Sequence, residues 1–217
     1  MVMLYAGGIT GTQVKEPELW YGHADMNTGK RGATTYGALD AFFPAVLALS
    51  GDLDRARRLQ ESSFKMWSLY GIEPEELNYD SMQIVSPGYP LRPEIVESTY
   101  YLHHYASIGS PGLPTLIRRR SGTVSGSEMY LEMGRTMFED FVKYCRTDEG
   151  YAALKSVATK EKADSMQSFL FAEAFKYFYL LFAPPKTLDF DRVIFNTEAH
   201  PIRRTGDRVA RGSALGR

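Results

Sequence analysis

Apolar residues recur at helical spacing in five stretches of this 217-residue chain. In the first, residues 33–49, the pattern is carried by Leu39, Phe42, Phe43, Val46, Leu47 and Leu49, and Gly51 ends it. Asp52 is placed to cap a second helix that reaches about Leu69, with Leu59, Phe64, Met66 and Trp67 as its apolar residues and Gly71 as its stop. The two predict an antiparallel helical hairpin closed by a tight turn. A third helix is predicted from Pro93 through Tyr105, Pro93 suiting the first helical position because its missing N–H would have no partner there. Two more are predicted over 127–144 and 165–182. Pro74, Pro87, Gly88 and Pro90 predict loop or short extended chain between the second and third helices. Alternation over 150–157, and the run Val193-Ile194-Phe195, predict short strands. Residues 1–32 show no period and predict loop. The fold class is therefore all-α, built of helical hairpins with small β-hairpin excursions.

Two segments depart from this pattern. Residues 108–126 are rich in Gly, Ser and Pro around Arg118-Arg119-Arg120. They predict an inserted loop, far longer than the roughly 2–8 residues usual between helices. A lineage-specific loop and a retained intron are both open as its origin. Residues 202–217 carry five arginines among Gly and Ser and predict a basic, disordered tail.

Composition narrows the function classes. With 44% hydrophobic and 24% charged residues the chain reads as an ordinary globular domain. Its 25 Lys and Arg against 26 Asp and Glu give a net charge of −1, which lacks the basic footprint of a nucleic-acid binder. Cys145 is the single cysteine, so a disulfide framework is excluded. No apolar run approaches the roughly 20 residues that span a bilayer. The first twelve residues lack the basic and long apolar regions of a signal peptide, so the expectation is a soluble chain with no visible address.

Phosphate loops, dinucleotide fingerprints, zinc-protease helices and nucleophile elbows are all missing. What remains is carboxylate chemistry. Glu94 and Glu97 are three apart on one helical face, after a Pro-Gly-Tyr-Pro loop and beside Arg92. Spacing leaves two readings open: first-turn acids that suit the helix dipole, or a pair of acids at a pocket mouth, one of them activating water. Asp164 and Gln167 have the spacing of a capping box. Glu173 lies one turn after Phe169, which fits an exposed pair with Lys176 and equally a sugar site whose ring stacks on the pyranose. Thr197 offers hard oxygen donors that suit Ca²⁺ if carboxylates and waters complete the shell, although on local evidence alone a strand end is the preferred reading.

Taken in order, three motifs resemble the C-terminal half of a glycoside hydrolase family 47 α-mannosidase. They are Pro90-Leu91-Arg92-Pro93-Glu94-x-Val96-Glu97-Ser98, then Met166-x-Ser168-Phe169 with Glu173, Lys176-Tyr177 and Leu180-Leu181-Phe182, then Phe195-Asn196-Thr197-Glu198-Ala199-His200. Ala38 and Ala41 stand where the processing enzymes of the family carry a His and a Cys, and so resemble the ER-degradation-enhancing α-mannosidase-like group. The resemblance covers residues 19–201 apart from the insertion, and leaves 1–18 as a divergent N-terminal segment.

The resemblance implies an (α/α)₇ barrel, present here as a partial barrel, and Ca²⁺-dependent inverting hydrolysis of α1,2-linked mannose. Glu94 would be the catalytic base. Arg92, Pro93, Phe169 and Glu173 would meet the sugar, Thr197 would bind Ca²⁺ directly, and Glu97, Glu173 and Glu198 would hold its waters. The implied partners are high-mannose N-glycans on misfolded glycoproteins, in the lumen of the endoplasmic reticulum. An oxidoreductase partner is not derivable, because Cys145 is displaced from the family's cysteine position at Glu149. The family's general acid belongs to N-terminal repeats without a counterpart in these motifs, so the 217 residues alone are expected not to be a competent hydrolase. Two alternatives are a lectin-like mannose binder and a helical interaction domain.

Overall fold

The computed structural model describes residues 18–107, 116–119, 122–190 and 192–204. The predicted N-terminal loop up to residue 17, most of the tail and parts of the insertion lie outside the described residues.

Helix α1 (Phe43–Leu49) and helix α2 (Leu53–Tyr70) form the predicted hairpin. The Asp52 side chain accepts the Arg55 backbone N–H, so one orphan donor of the first turn is satisfied. Gly71 takes φ 70° at the other end, a left-handed cap that a side chain would strain. Leu53, Ala56, Leu59, Gln60, Ser63, Met66 and Trp67 line the buried face of α2, while Arg57 pairs with Asp54 and Glu61 on the outer face.

Helix α3 (Glu94–Ser107) is the hub, since it touches α1, α2, helix α4 (Gly126–Cys145) and helix α5 (Phe175–Phe182). Polar side chains register it against the first hairpin. Ser98 Oγ donates to Ala41 O at 2.6 Å and accepts from Ala45 N–H, and Gln60 Nε2 donates to Thr99 Oγ1 at 2.8 Å. Helix α4 opens with a reciprocal capping box between Ser125 and Glu128. Gly134 lets it approach α5 closely: a Cβ there would stand 2.1 Å from Leu181 Cδ2.

The strands are short and antiparallel. β1 (Thr35–Gly37), β2 (Glu76–Asn78) and β3 (Gln83–Ser86) form a three-stranded sheet in that order, with Tyr36 opposite Leu77 and Leu77 opposite Ile84. β4 (Leu116–Arg119) and β5 (Gly122–Ser125) pair within the predicted insertion, so its described part is a hairpin running into α4 rather than a structureless loop. β6 (Leu154–Ser156) pairs with β7 (Glu161–Lys162), and β8 (Val193–Phe195) with β9 (Pro201–Arg203). Tyr89 exchanges both backbone hydrogen bonds with Leu154, which anchors the loop before α3.

Several boundaries differ from the sequence reading. The first predicted helix loses residues 33–38: Thr35–Gly37 pair with β2 instead, and a single 3₁₀ turn, Leu39–Phe42, precedes α1. Pro93 flanks α3 rather than opening it, because its carbonyl already accepts the Val96 and Glu97 N–H groups. The fifth helix begins at a π-turn, Leu170–Ala174, without a side-chain cap. The predicted capping box is not formed there, and Gln167 turns its amide to Ser165 Oγ at 3.0 Å. Ile202 and Arg203 are strand residues rather than tail, held by pairing with β8. Cys145 is fully buried at the last residue of α4, and burial pushes its thiol up to about 12, which removes it as a nucleophile.

Candidate functional site

The predicted site residues come from three places that the fold brings together. The first is the turn into α3. Leu91 is completely buried at φ 67°, a conformation that costs an aliphatic residue on the order of 1–2 kcal/mol. This turn sets the direction of Arg92, Pro93 and Glu94. The Arg92 guanidinium grips Glu75 with two hydrogen bonds, Nε to Oε2 at 3.1 Å and Nη2 to Oε1, and lies 5.7 Å from the centre of the Phe169 ring. Two predicted sugar contacts, Arg92 and Phe169, are therefore neighbours.

Glu94 and Glu97 occupy the first turn of α3, with Pro93 buried beneath. Burial pushes the Glu94 carboxyl up to about 7, against the pull of Arg92 and with added repulsion from Glu173 and Glu97. Its Oε2 is buried and has no hydrogen-bond partner. Glu97 is pushed up to about 7 as well, chiefly by burial, although Tyr177 Oη donates to its Oε1 at 2.9 Å.

The second place is the π-turn before α5, where Phe175 N–H reaches back to Leu170 O. It carries Glu173, half-buried, whose carboxyl is raised by burial and by Glu198. The third is the β8–β9 turn. Asn196 Oδ1 accepts from the N–H groups of Glu198 and His200, and Ala199 is buried at φ 54°. Lys176 Nζ, on α5, donates to Ala199 O at 2.7 Å and fastens this turn beside Glu173. Thr197 and Glu198 are exposed there. The two loops that present site residues thus both hold a non-glycine residue at positive φ, strain that the surrounding packing sustains.

Electrostatics ties the three places together, for Glu94 and Glu97 both feel Glu173, and Glu173 feels Glu198. Among the described residues no three His, Cys, Asp or Glu side chains converge closely enough to ligate a metal by themselves. The donor set still fits a hard cation held through waters. It consists of the exposed Thr197 hydroxyl and carbonyl on the β8–β9 turn, Glu198 next to it in the chain, and the carboxylates of Glu173, coupled to Glu198, and of Glu97, coupled to Glu173.

Sequence reasoning missed Glu75 and Glu73, and gave Tyr177, part of the second motif, no role of its own. Glu75 sits beyond a proline loop from its arginine, and no local spacing announces that pair. A cavity of about 470 Å³ lies elsewhere, between the C-terminal ends of α3 and α5, lined by Tyr100, His104, Pro184 and Phe190 among others. It contains none of the predicted site residues.

Known proteins resemble this chain over most of its length. The sequence model of glycosyl hydrolase family 47 matches residues 9–107 and 123–204. The ER degradation-enhancing alpha-mannosidase-like protein 3 of Homo sapiens is 38% identical over 169 residues, covering 77% of this chain and 16% of that protein. The mannosyl-oligosaccharide 1,2-alpha-mannosidase MNS1 of Arabidopsis thaliana is 33% identical over 180 residues, covering 76% and 29%. Among solved structures, the alpha-1,2-mannosidase from Trichoderma reesei superposes with a TM-score of 0.68 at 24% identity, covering 86% of this chain and 42% of that one. The last likeness shows the fold: the helical hairpins are part of an (α/α)₇ barrel. The chain spans less than a third of the length of these two sequence relatives.

Proposed function

We propose, on the premise that this chain belongs to glycosyl hydrolase family 47, that it carries the base and the metal-holding half of a calcium-dependent, inverting α1,2-mannosidase site. The substrate class is the high-mannose N-glycan of misfolded glycoproteins, and the setting is quality control in the endoplasmic reticulum. The names of the degradation-enhancing relatives support that setting.

The observation that carries the reading is Glu94, a carboxyl held near 7 by burial next to a paired arginine and an aromatic ring. A base whose pKa lies near the working pH is suited to take a proton from water. Inversion requires a second acid about 6.5–9.5 Å away on the leaving-group side. In this reading that acid comes from repeats beyond the matched motifs, so the 217 residues bind glycan without cleaving it by themselves. Phe169 offers its ring to the apolar face of a pyranose. Arg92, held in place by Glu75, presents its remaining N–H groups to sugar hydroxyls, and Pro93 stiffens the approach. Thr197 would hold Ca²⁺ directly, with Glu97, Glu173 and Glu198 reaching it through waters. When bound, the cation would supply positive charge that polarises the oxygens it holds.

Calorimetric titration of the purified chain with Ca²⁺ tests this. The expected result is binding that Thr197→Ala and Glu173→Gln each weaken at least tenfold, followed by calcium-dependent binding of an α1,2-mannobioside. A folded chain that binds neither calcium nor the disaccharide overturns the reading. Mannose release by the chain alone overturns the division of the acid and the base between repeats.

A further inference from the structure

Glu73 lies two residues beyond the left-handed cap of α2, between buried Ile72 and buried Pro74. It is completely buried, and both of its carboxyl oxygens lack a hydrogen-bond partner. Such a group is rare, since an unpaired buried carboxylate costs several kcal/mol and unpaired buried polar atoms number only a few per hundred residues. The charged and titratable groups around it are Glu75 on its own segment, Arg92 and Glu94 at the turn into α3, Tyr89 on the preceding loop and Tyr36 on β1.

Most of these are already committed. Glu75 spends both oxygens on Arg92. The Tyr89 hydroxyl donates to Arg92 O, and the Tyr36 hydroxyl is bonded to Ser63 Oγ. Arg92 is held by Glu75, no ion pair reaches Glu73 among the described residues, and burial together with repulsion from Glu94 and Glu75 outweighs the pull of Arg92 and favours the protonated acid. A protonated carboxyl is a donor that needs an acceptor. The other buried, unpartnered oxygen in this cluster is Oε2 of Glu94.

We propose that Glu73 is a positioning residue for Glu94: its buried carboxylic acid gives a hydrogen bond to Glu94 Oε2, directly or through one enclosed water, and so fixes how Glu94 presents its other oxygen. The inference rests on the reading of Glu94 as the base. It gives the buried acid a use, because a hydrogen bond to the carboxylate form steadies an anion that burial would otherwise suppress.

A double-mutant cycle on the full chain tests it, with Glu73→Leu, Glu94→Ala and the pair compared by urea unfolding at pH 6 without calcium. The expected result is a favourable coupling of about tenfold in the unfolding equilibrium constant, which Glu73→Gln retains because its amide still donates. Coupling within twofold of none overturns the proposal. So does coupling of opposite sign, since that is the mark of two repelling anions. If Glu73→Leu does not fold while Glu73→Gln does, the need for a donor is shown directly, and if Glu73→Gln fails to fold as well the proposal falls. The pH dependence adds a readout that mere space-filling would not move: Glu73→Gln should remove part of the stability lost above pH 4.5 in the parent chain. The cycle reads folding, not sugar binding. Absent coupling therefore sinks the Glu73 inference alone, and absent calcium and mannobioside binding sinks the functional reading alone.

Discussion

Replacing Tyr177 by Phe isolates one hydrogen bond at the site. The ring is almost fully buried at 1% exposure, packed edge-on against Phe195 at 5.8 Å and tilted against Tyr100 at 6.1 Å, and Phe keeps those contacts. What is lost is the donation from Oη to Glu97 Oε1 at 2.9 Å. At pH 5 the Glu97 carboxyl, pushed up to about 7, is un-ionised, so the bond is neutral and its loss costs about 1 kcal/mol. At pH 8 the acceptor is a carboxylate, and the loss rises to about 1.5–3 kcal/mol. Since 1.4 kcal/mol is a factor of ten in the equilibrium constant, the change should be plain in urea unfolding curves of the metal-free chain. The sign follows from linkage: the hydroxyl favours the carboxylate form of Glu97, so without it that group resists ionisation further and stability falls more steeply as pH rises. In a Glu97→Gln background the extra cost at pH 8 should vanish, because an amide accepts without charge. A cost that is equal at both pH values, or larger at pH 5, would refute the reasoning.

Other outcomes follow from the same geometry. The metal-free chain should unfold at a lower temperature at pH 8 than at pH 5: Glu94 and Glu97 are raised to about 7 and Glu73 well above its usual value, so their contribution is complete below about pH 4.5 and is lost as pH climbs through 7. A melting temperature that rises over that interval would contradict this. Asp52→Ala removes the side-chain cap of α2 and should cost about 1 kcal/mol in chemical denaturation, whereas an unchanged midpoint would mean that the cap adds nothing. Gly134→Leu should cost roughly 3 kcal/mol by forcing α4 away from Leu181. Gly134→Ala should cost less, because the gain of about 1 kcal/mol in helix propensity offsets part of the clash.

How much of this was legible beforehand depends on the range of the interaction. Helix α2 could be read from its cap, its period and its terminal glycine, because each acts within a few residues of the position it controls. The span of α1 could not. Its first residues carry helix-compatible spacing, yet Thr35–Gly37 are claimed by pairing with Glu76–Asn78, some forty residues on. The inserted segment read as loop because its Gly, Ser and Pro content signals turns, while the pairing of β4 with β5 depends on register that composition does not carry.

At the site the division is the same. The chain alone was enough to nominate the candidate side chains: Arg92, Glu94 and Glu97 at one helix start, Glu173 one turn from Phe169, and Thr197 and Glu198 in a single turn. Their order along the chain was enough to recognise the family. Only the tertiary structure decided what each carboxyl is. Glu75 is the partner of Arg92, Glu97 leans on Tyr177 from another helix, and Glu73 is sealed away with both oxygens unpartnered. Charge, burial and hydrogen bonding are properties of surroundings assembled from distant segments, so a carboxylate's identity is written locally and its acidity is not.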